Sequence, residues 1–90
     1  MNVTFKLAPY LRKYADNKET VSVKGNTVRE CLDNLIRQYP KLKEMIFGEA
    51  GVMHNYLSVF AGGIIVFADQ LNKQVTEGET IHLLYIIGGG

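Results

Sequence analysis

A single segment of this 90-residue chain has the spacing of a long amphipathic helix, and strand-like segments lie on both sides of it. Thr27 and Glu30 have the spacing of a capping box, which predicts that the helix begins here. Pro40 then predicts that it ends near Gln38. Between these points the apolar residues recur at helical intervals and predict one buried face: Val28, Cys31, Leu32, Leu35, Ile36 and Tyr39.

The flanking segments alternate between apolar and polar residues, as expected for half-buried strands. The predicted strands cover residues 2–7, 20–24, 56–61, 64–67 and 80–87. Gly62 and Gly63 separate the third strand from the fourth and favour a tight hairpin, because primed turns need positive φ. We expect a loop or a short helical turn over residues 10–18, one or two helical turns over 41–47, a loop over 48–55 and an irregular segment over 69–76.

Length, composition and charge favour one domain spanning residues 1–90. A chain this short cannot divide into two cores, and 47% hydrophobic residues suffice for one. A net charge of +1 gives no electrostatic reason to expect a nucleic acid or membrane partner. Cys31 is the only cysteine, which excludes an internal disulfide or a multi-thiolate metal site. Residues 1–6 lack the apolar block of a signal peptide, so we expect a cytoplasmic protein.

The chain ends on Gly88, Gly89 and Gly90, directly after the last apolar strand. Glycine is the residue that costs most to order, so we expect residues 88–90 to form a flexible functional tail. A glycine end leaves its carboxylate on a thin tether without side chains. Such a group can enter a narrow active site on another protein and be attacked at its carbonyl carbon.

With these features together, the chain resembles the ubiquitin-like sulfur carriers, which include the small subunit of molybdopterin synthase and the carriers for thiazole and cysteine synthesis. Three stretches support the resemblance: residues 26–28 with Leu32 and Leu35, residues 57–62, and residues 77–81 running on to the final glycines. Two departures are Tyr85, where many relatives have proline, and Gly88, where a different small residue is common. The connection over residues 41–55 is longer than in the smallest carriers and in this respect resembles the longer cysteine-synthesis type.

The resemblance implies an α+β fold of the β-grasp type, a mixed sheet packed on one main helix. It also implies that a separate activating enzyme adenylates Gly90 with ATP and that sulfur then forms a thiocarboxylate there. The chain itself has no Walker-type loop, so the nucleotide belongs to the partner. The protein is therefore predicted to be a co-substrate without a stably bound cofactor or metal, or the small subunit of an enzyme such as molybdopterin synthase. A second partner, a sulfur-acceptor enzyme, is implied.

The last strand also predicts a docking surface, because both of its faces are largely apolar. If Ile81 and Leu83 face the helix, Leu84 and Ile86 face outward. We expect Phe60 of the third strand to join them, and Leu84 matches a position that the family uses for partner contact. Exposed apolar patches are typical of interaction sites, although a second buried face or a dimer contact would have the same pattern.

Two other functions remain open from the sequence. A ubiquitin-like modifier would be joined through Gly90 to lysine amines, and a plain β-grasp interaction module would use the glycines for no chemistry; the tail would then be disordered or a cloning remnant.

Several further residues favour structural roles. Cys31 is predicted to be buried, and His54 and His82 have no partner at metal-ligand spacing. Glu77 and Glu79 flank a turn glycine, which favours a solvated loop over an acid/base pair.

Overall fold

The alternating segments form one sheet, and the amphipathic segment forms the helix that packs on it. The computed structural model describes residues 1–85. The elements are β1 (Asn2–Leu7), α1 (Pro9–Arg12), β2 (Thr20–Lys24), α2 (Val28–Gln38), α3 (Lys43–Ile46), β3 (Leu57–Ala61), β4 (Ile64–Val66) and β5 (Thr80–Tyr85), with 3₁₀ turns at Pro40–Leu42 and Ala68–Gln70. The predicted order of strands and main helix is confirmed.

The five strands lie in the spatial order β2-β1-β5-β3-β4. The central pair, β1 and β5, is parallel, and its register places Phe5 beside Ile81. The other three pairs are antiparallel. This is the predicted α+β, β-grasp arrangement. It puts the last strand in the middle of the sheet, where Leu83 pairs with both β1 and β3 and Tyr85 pairs with Leu57 of β3.

One face of the sheet forms the core with α2. The inward residues of β1 and β5 are almost inaccessible to solvent, since Phe5, Ile81 and Leu83 each expose 0% of their surface. The apolar face of α2 covers them and is itself fully buried at Leu32 and Leu35. The described residues therefore share one core, and the single-domain prediction for residues 1–90 itself stays a prediction.

Side chains at the start of α2 form two capping hydrogen bonds, which run in opposite directions across the first turn. Thr27 Oγ1 accepts a hydrogen bond of 3.1 Å from the backbone N–H of Glu30, as predicted. The reciprocal bond is displaced by one residue, because Glu30 Oε1 accepts from the N–H of Asn26 and not from that of Thr27. Backbone carbonyls from the segment before β5 accept the N–H groups of Val28 and Arg29. The orphan donors of the first turn are thereby satisfied within the protein.

The hairpin between β3 and β4 turns at the two predicted glycines. Gly62 and Gly63 have φ of +61° and +80°, the positive values that a primed two-residue turn requires. The strands are shorter than predicted at their outer ends, because β3 begins at Leu57 and β4 ends at Val66. The loop that precedes β3 is closed by an isolated bridge between Phe47 and Met53.

Candidate functional site

The outward face of β5 is apolar near its end. Leu84 exposes 40% of its surface, whereas the flanking inward residue Leu83 is fully buried. Leu84 pairs directly with Ser58 of β3, which is buried despite facing outward. The prediction that Leu84 faces away from the helix is confirmed. Its role in partner binding stays a prediction.

Phe60 and Ile65 lie on the same face as Leu84. Phe60 pairs with His82 of β5 on one side and with Ile65 of β4 on the other. His82, Phe60 and Ile65 therefore form one row of outward positions across the three strands. Ile65 exposes 37% of its surface and Phe60 is half-buried. We call Phe60, Ile65 and Leu84 the outer patch. Phe60 is two residues along from the partner of Leu84, a diagonal separation of about 7–8 Å that long side chains can span.

Polar residues border the outer patch on the side of β1. Lys6 lies beside His82 in the sheet register, and Thr4 lies beside Thr80. Lys6 Nζ is 4.0 Å from a carboxylate oxygen of Glu19, an exposed and weak ion pair. An apolar centre with a polar rim has the composition of a protein–protein contact surface.

The turn before β5 is fixed by its two acidic residues. Glu77 accepts hydrogen bonds from the backbone N–H and the side-chain amide of Asn2, at 3.1 and 3.2 Å, and these bonds lower the pKa of its carboxyl. Glu79 Oε1 accepts from the N–H and hydroxyl of Thr76. Both carboxylates therefore hold the loop that leads into the central strand, in agreement with the structural role predicted for them.

The surroundings of the cysteine and of the two histidines are those of structural residues. Cys31 is fully buried, and burial raises the pKa of its thiol to about 11. His54 stacks on Tyr56 with ring centroids 4.6 Å apart, and its Nε2 lies 2.9 Å from the carbonyl oxygen of Glu44. His82 lies on the outer face beside Phe60. Within residues 1–85 no group of three or more His, Cys, Asp or Glu side chains has a metal-binding arrangement.

A cluster of aromatic rings lies at the end of β5. The Tyr85 ring is stacked on Tyr56 at 5.1 Å and meets Tyr10 edge-on at 5.0 Å. Sequence analysis missed this cluster because its members are far apart in the chain and follow no common period. It also missed Ile65, for which a signal exists: a two-residue turn at 62–63 pairs positions 60 and 65.

The remaining residues singled out from the sequence follow Tyr85. Ile86, Gly88, Gly89 and Gly90 lie outside the described residues. Their predicted roles in docking, tethering and chemistry therefore stay predictions. Among the residues that the structure describes, Leu84 and Phe60 are brought onto one face, and that face belongs to the strand leading directly to the glycines.

Known proteins share both the sequence length and the fold. The sulfur carrier protein CysO of Mycobacterium tuberculosis is 24% identical over 93 residues that cover 100% of both chains. The crystal structure of SAMP1 from Haloferax volcanii is 26% identical, covers 100% of both chains and superposes with a TM-score of 0.87. CysO in the BexX/CysO complex of Amycolatopsis orientalis is 27% identical, with 98% and 99% coverage and a TM-score of 0.86.

The chain resembles the ubiquitin-like sulfur carriers over its full length. No protein-family model matches it, so the resemblance rests on the full-length sequence similarity and on the shared fold. The curated relatives are described as sulfur carrier proteins, which agrees with the prediction that this chain is a carrier rather than an enzyme. None of its helices within residues 1–85 is long and apolar enough to cross a membrane.

Proposed function

We propose that the protein carries sulfur as a thiocarboxylate on Gly90 and delivers it to an acceptor enzyme. The observation that supports this most is the position of the outer patch. Leu84 lies two residues before the segment 86–90 and faces away from the core. A partner that binds the patch therefore holds the carrier close to the residues that bear the reactive carboxylate.

The proposed chemistry begins outside the carrier. The Gly90 carboxylate attacks the α-phosphate of ATP in a separate activating enzyme, pyrophosphate leaves, and an acyl adenylate forms. Hydrosulfide then attacks the carbonyl carbon and AMP leaves, which yields the thiocarboxylate. With a persulfide donor the product is an acyl disulfide, which a second thiol reduces. The carboxylate needs this activation because its own oxygen is a poor leaving group.

Glycine at positions 89 and 90 suits this role for a steric reason. A residue without Cβ leaves the carbonyl open to attack and fits a channel that excludes side chains. The carrier contributes the reacting group and the docking surface, while the activating enzyme contributes the nucleotide site. On this proposal the protein is a co-substrate, and ATP binds to the activating enzyme rather than to the carrier.

A sulfur-acceptor enzyme is the second proposed partner. The relative from Amycolatopsis orientalis is described in complex with BexX, and that relative shares 27% of its residues with this chain. This supports binding of an acceptor by a carrier of the same fold. We propose amino-acid or molybdopterin synthesis as the destination of the sulfur, with the choice made by the acceptor.

A second candidate function is protein modification through Gly90. The structures from Haloferax volcanii are described as a small archaeal modifier protein, and they are 26% identical to this chain. In that case a lysine amine, rather than hydrosulfide, displaces AMP and forms an isopeptide bond. Both functions require the same adenylate, so they differ only in the nucleophile that attacks it.

Intact mass measurement tests the proposal. The chain is incubated with an activating enzyme, ATP and sulfide, and we expect the mass gain of one oxygen replaced by one sulfur, located on Gly90. Gly89→Val and Gly90→Val variants are expected to fold normally and to gain nothing. Unchanged mass with an activating enzyme that loads another carrier would contradict the proposal. Thiol-resistant conjugates to lysines in cells would favour modification instead.

A further inference from the structure

The end of β5 is held by a side chain as well as by its pairing with β3. Tyr85 is the last residue before the segment 86–90, and its ring lies between those of Tyr10 and Tyr56. Tyr56 stacks in turn on His54. We call these four residues the aromatic cluster. Offset-stacked and edge-to-face pairs at such separations are the favourable geometries of aromatic rings.

A hydrogen bond fixes the ring of Tyr85 in one orientation. Its hydroxyl donates to the backbone carbonyl oxygen of Met45 in α3, at 2.9 Å and across 40 residues of sequence. Burial of the hydroxyl raises the pKa of Tyr85 to about 12. The group therefore stays protonated, and remains a donor, throughout the neutral pH range.

Three separate parts of the chain converge on this side chain. Tyr10 belongs to α1, which directly follows β1; Tyr56 immediately precedes β3; and Met45 belongs to α3. The backbone of Tyr85 pairs with Leu57 in the sheet. No other residue of β5 within the described part of the chain has both a side-chain hydrogen bond and aromatic contacts on two sides.

We propose that Tyr85 is a positioning residue, which anchors the end of β5 so that the segment 86–90 starts from a fixed point beside the outer patch. The proposal rests on the proposed carrier function. A partner that binds the outer patch holds the carrier at β5, and a fixed position of Tyr85 restricts the volume in which the Gly90 carboxylate can lie, which raises its effective concentration at the partner's active site. Release of Tyr85 would enlarge that volume.

Two variants and a control test the anchor. Tyr85→Ala removes the ring and the hydroxyl, while Tyr85→Phe keeps the ring contacts and loses only the hydrogen bond to Met45. Tyr39→Ala is the matched control, because Tyr39 is a half-buried tyrosine that packs on the core at the end of α2. Tyr85→Leu keeps apolar volume in case the alanine variant does not fold.

The first measurement is amide hydrogen exchange, which needs no partner enzyme. We expect Tyr85→Ala to speed exchange at Leu84 and Tyr85 about tenfold more than Tyr39→Ala does, because only the former releases the strand end. Tyr85→Phe is expected to lie between wild type and alanine. Equal exchange at Leu84 in the Tyr85→Ala and Tyr39→Ala proteins would overturn the anchor.

The second measurement is the kinetics of thiocarboxylate formation. We expect Tyr85→Ala to lower kcat about tenfold while KM changes much less, since the outer patch remains and only the placement of the carboxylate is lost. Tyr85→Phe should recover most of the rate. An unchanged kcat for Tyr85→Ala would overturn the positioning role. A wild-type chain that no activating enzyme loads would instead overturn the proposed function, and exchange at Leu84 would still decide the anchor.

Discussion

Gly25 lies directly against Cys31, at the point where β2 leads into α2. A methyl group on Gly25 would come within 2.7 Å of Cys31 Sγ and 2.9 Å of the Cys31 backbone nitrogen. The second contact cannot be relieved by rotating a side chain. The absence of a side chain at position 25 therefore allows the sheet to approach the first turn of the helix.

We expect Gly25→Ala to destabilise the protein by about 1–3 kcal/mol, the usual cost of overpacking a core. Thermal or urea unfolding monitored by circular dichroism measures it. Gly48→Ala is the control, because its methyl group would be no closer than 3.4 Å to its nearest neighbour, a His54 ring carbon. Adding Cys31→Ala should restore part of the loss and leave the backbone contact. Equal stability of the two single variants would contradict this account.

The buried thiol is expected to be unreactive in the folded protein. Cys31 is inaccessible and its pKa is raised to about 11, so little thiolate forms and no reagent reaches it. Labelling with an aromatic disulfide at pH 8 should be at least about a hundredfold slower than in denaturant, since few molecules are unfolded. Rapid labelling without denaturant would show that the N-terminal turn of α2 opens easily.

Glu77 gives the protein a defined sensitivity to acid. Its folded pKa is lowered from 4.5 by the bonds from Asn2, so its stabilising effect is complete above about pH 4.5 and is lost as the pH falls through the folded pKa. We expect wild type to have a higher melting temperature than Glu77→Gln at pH 7, and the difference to shrink as the pH falls below 4.5. Glu49→Gln, in an exposed loop, is the control. A constant difference across this range would refute the prediction.

The outer patch is expected to decide the affinity for the activating enzyme. Leu84→Ala should raise KM about tenfold or more, the effect of removing a central apolar anchor from an interface. The melting temperature should change little, because Leu84 lies outside the core. Steady-state kinetics with the activating enzyme measure this, and Lys6→Ala tests the polar border of the same face. Similar KM values for both variants would place the docking surface elsewhere.

The local pattern was enough to predict the secondary structure around the two strongest signals. The spacing of Thr27 and Glu30 predicted the start of α2, because a cap acts through bonds three residues apart. The glycine pair at 62–63 predicted the hairpin, because positive φ is a property of the residues themselves. The shift of the Glu30 bond to Asn26 was not predictable, since it depends on how the neighbouring loop closes over the helix.

The sequence by itself determined the order of the elements and the inward faces of β1 and β2, because periods of 2 and 3.6 residues are local. The structure decided that Leu84 faces outward, since both faces of the last strand are largely apolar. Only the tertiary structure decided that Ile65 completes the outer patch and that Tyr10, Tyr56 and Met45 converge on Tyr85. Such contacts join residues up to 75 positions apart, and their formation depends on strand order and register rather than on any local preference.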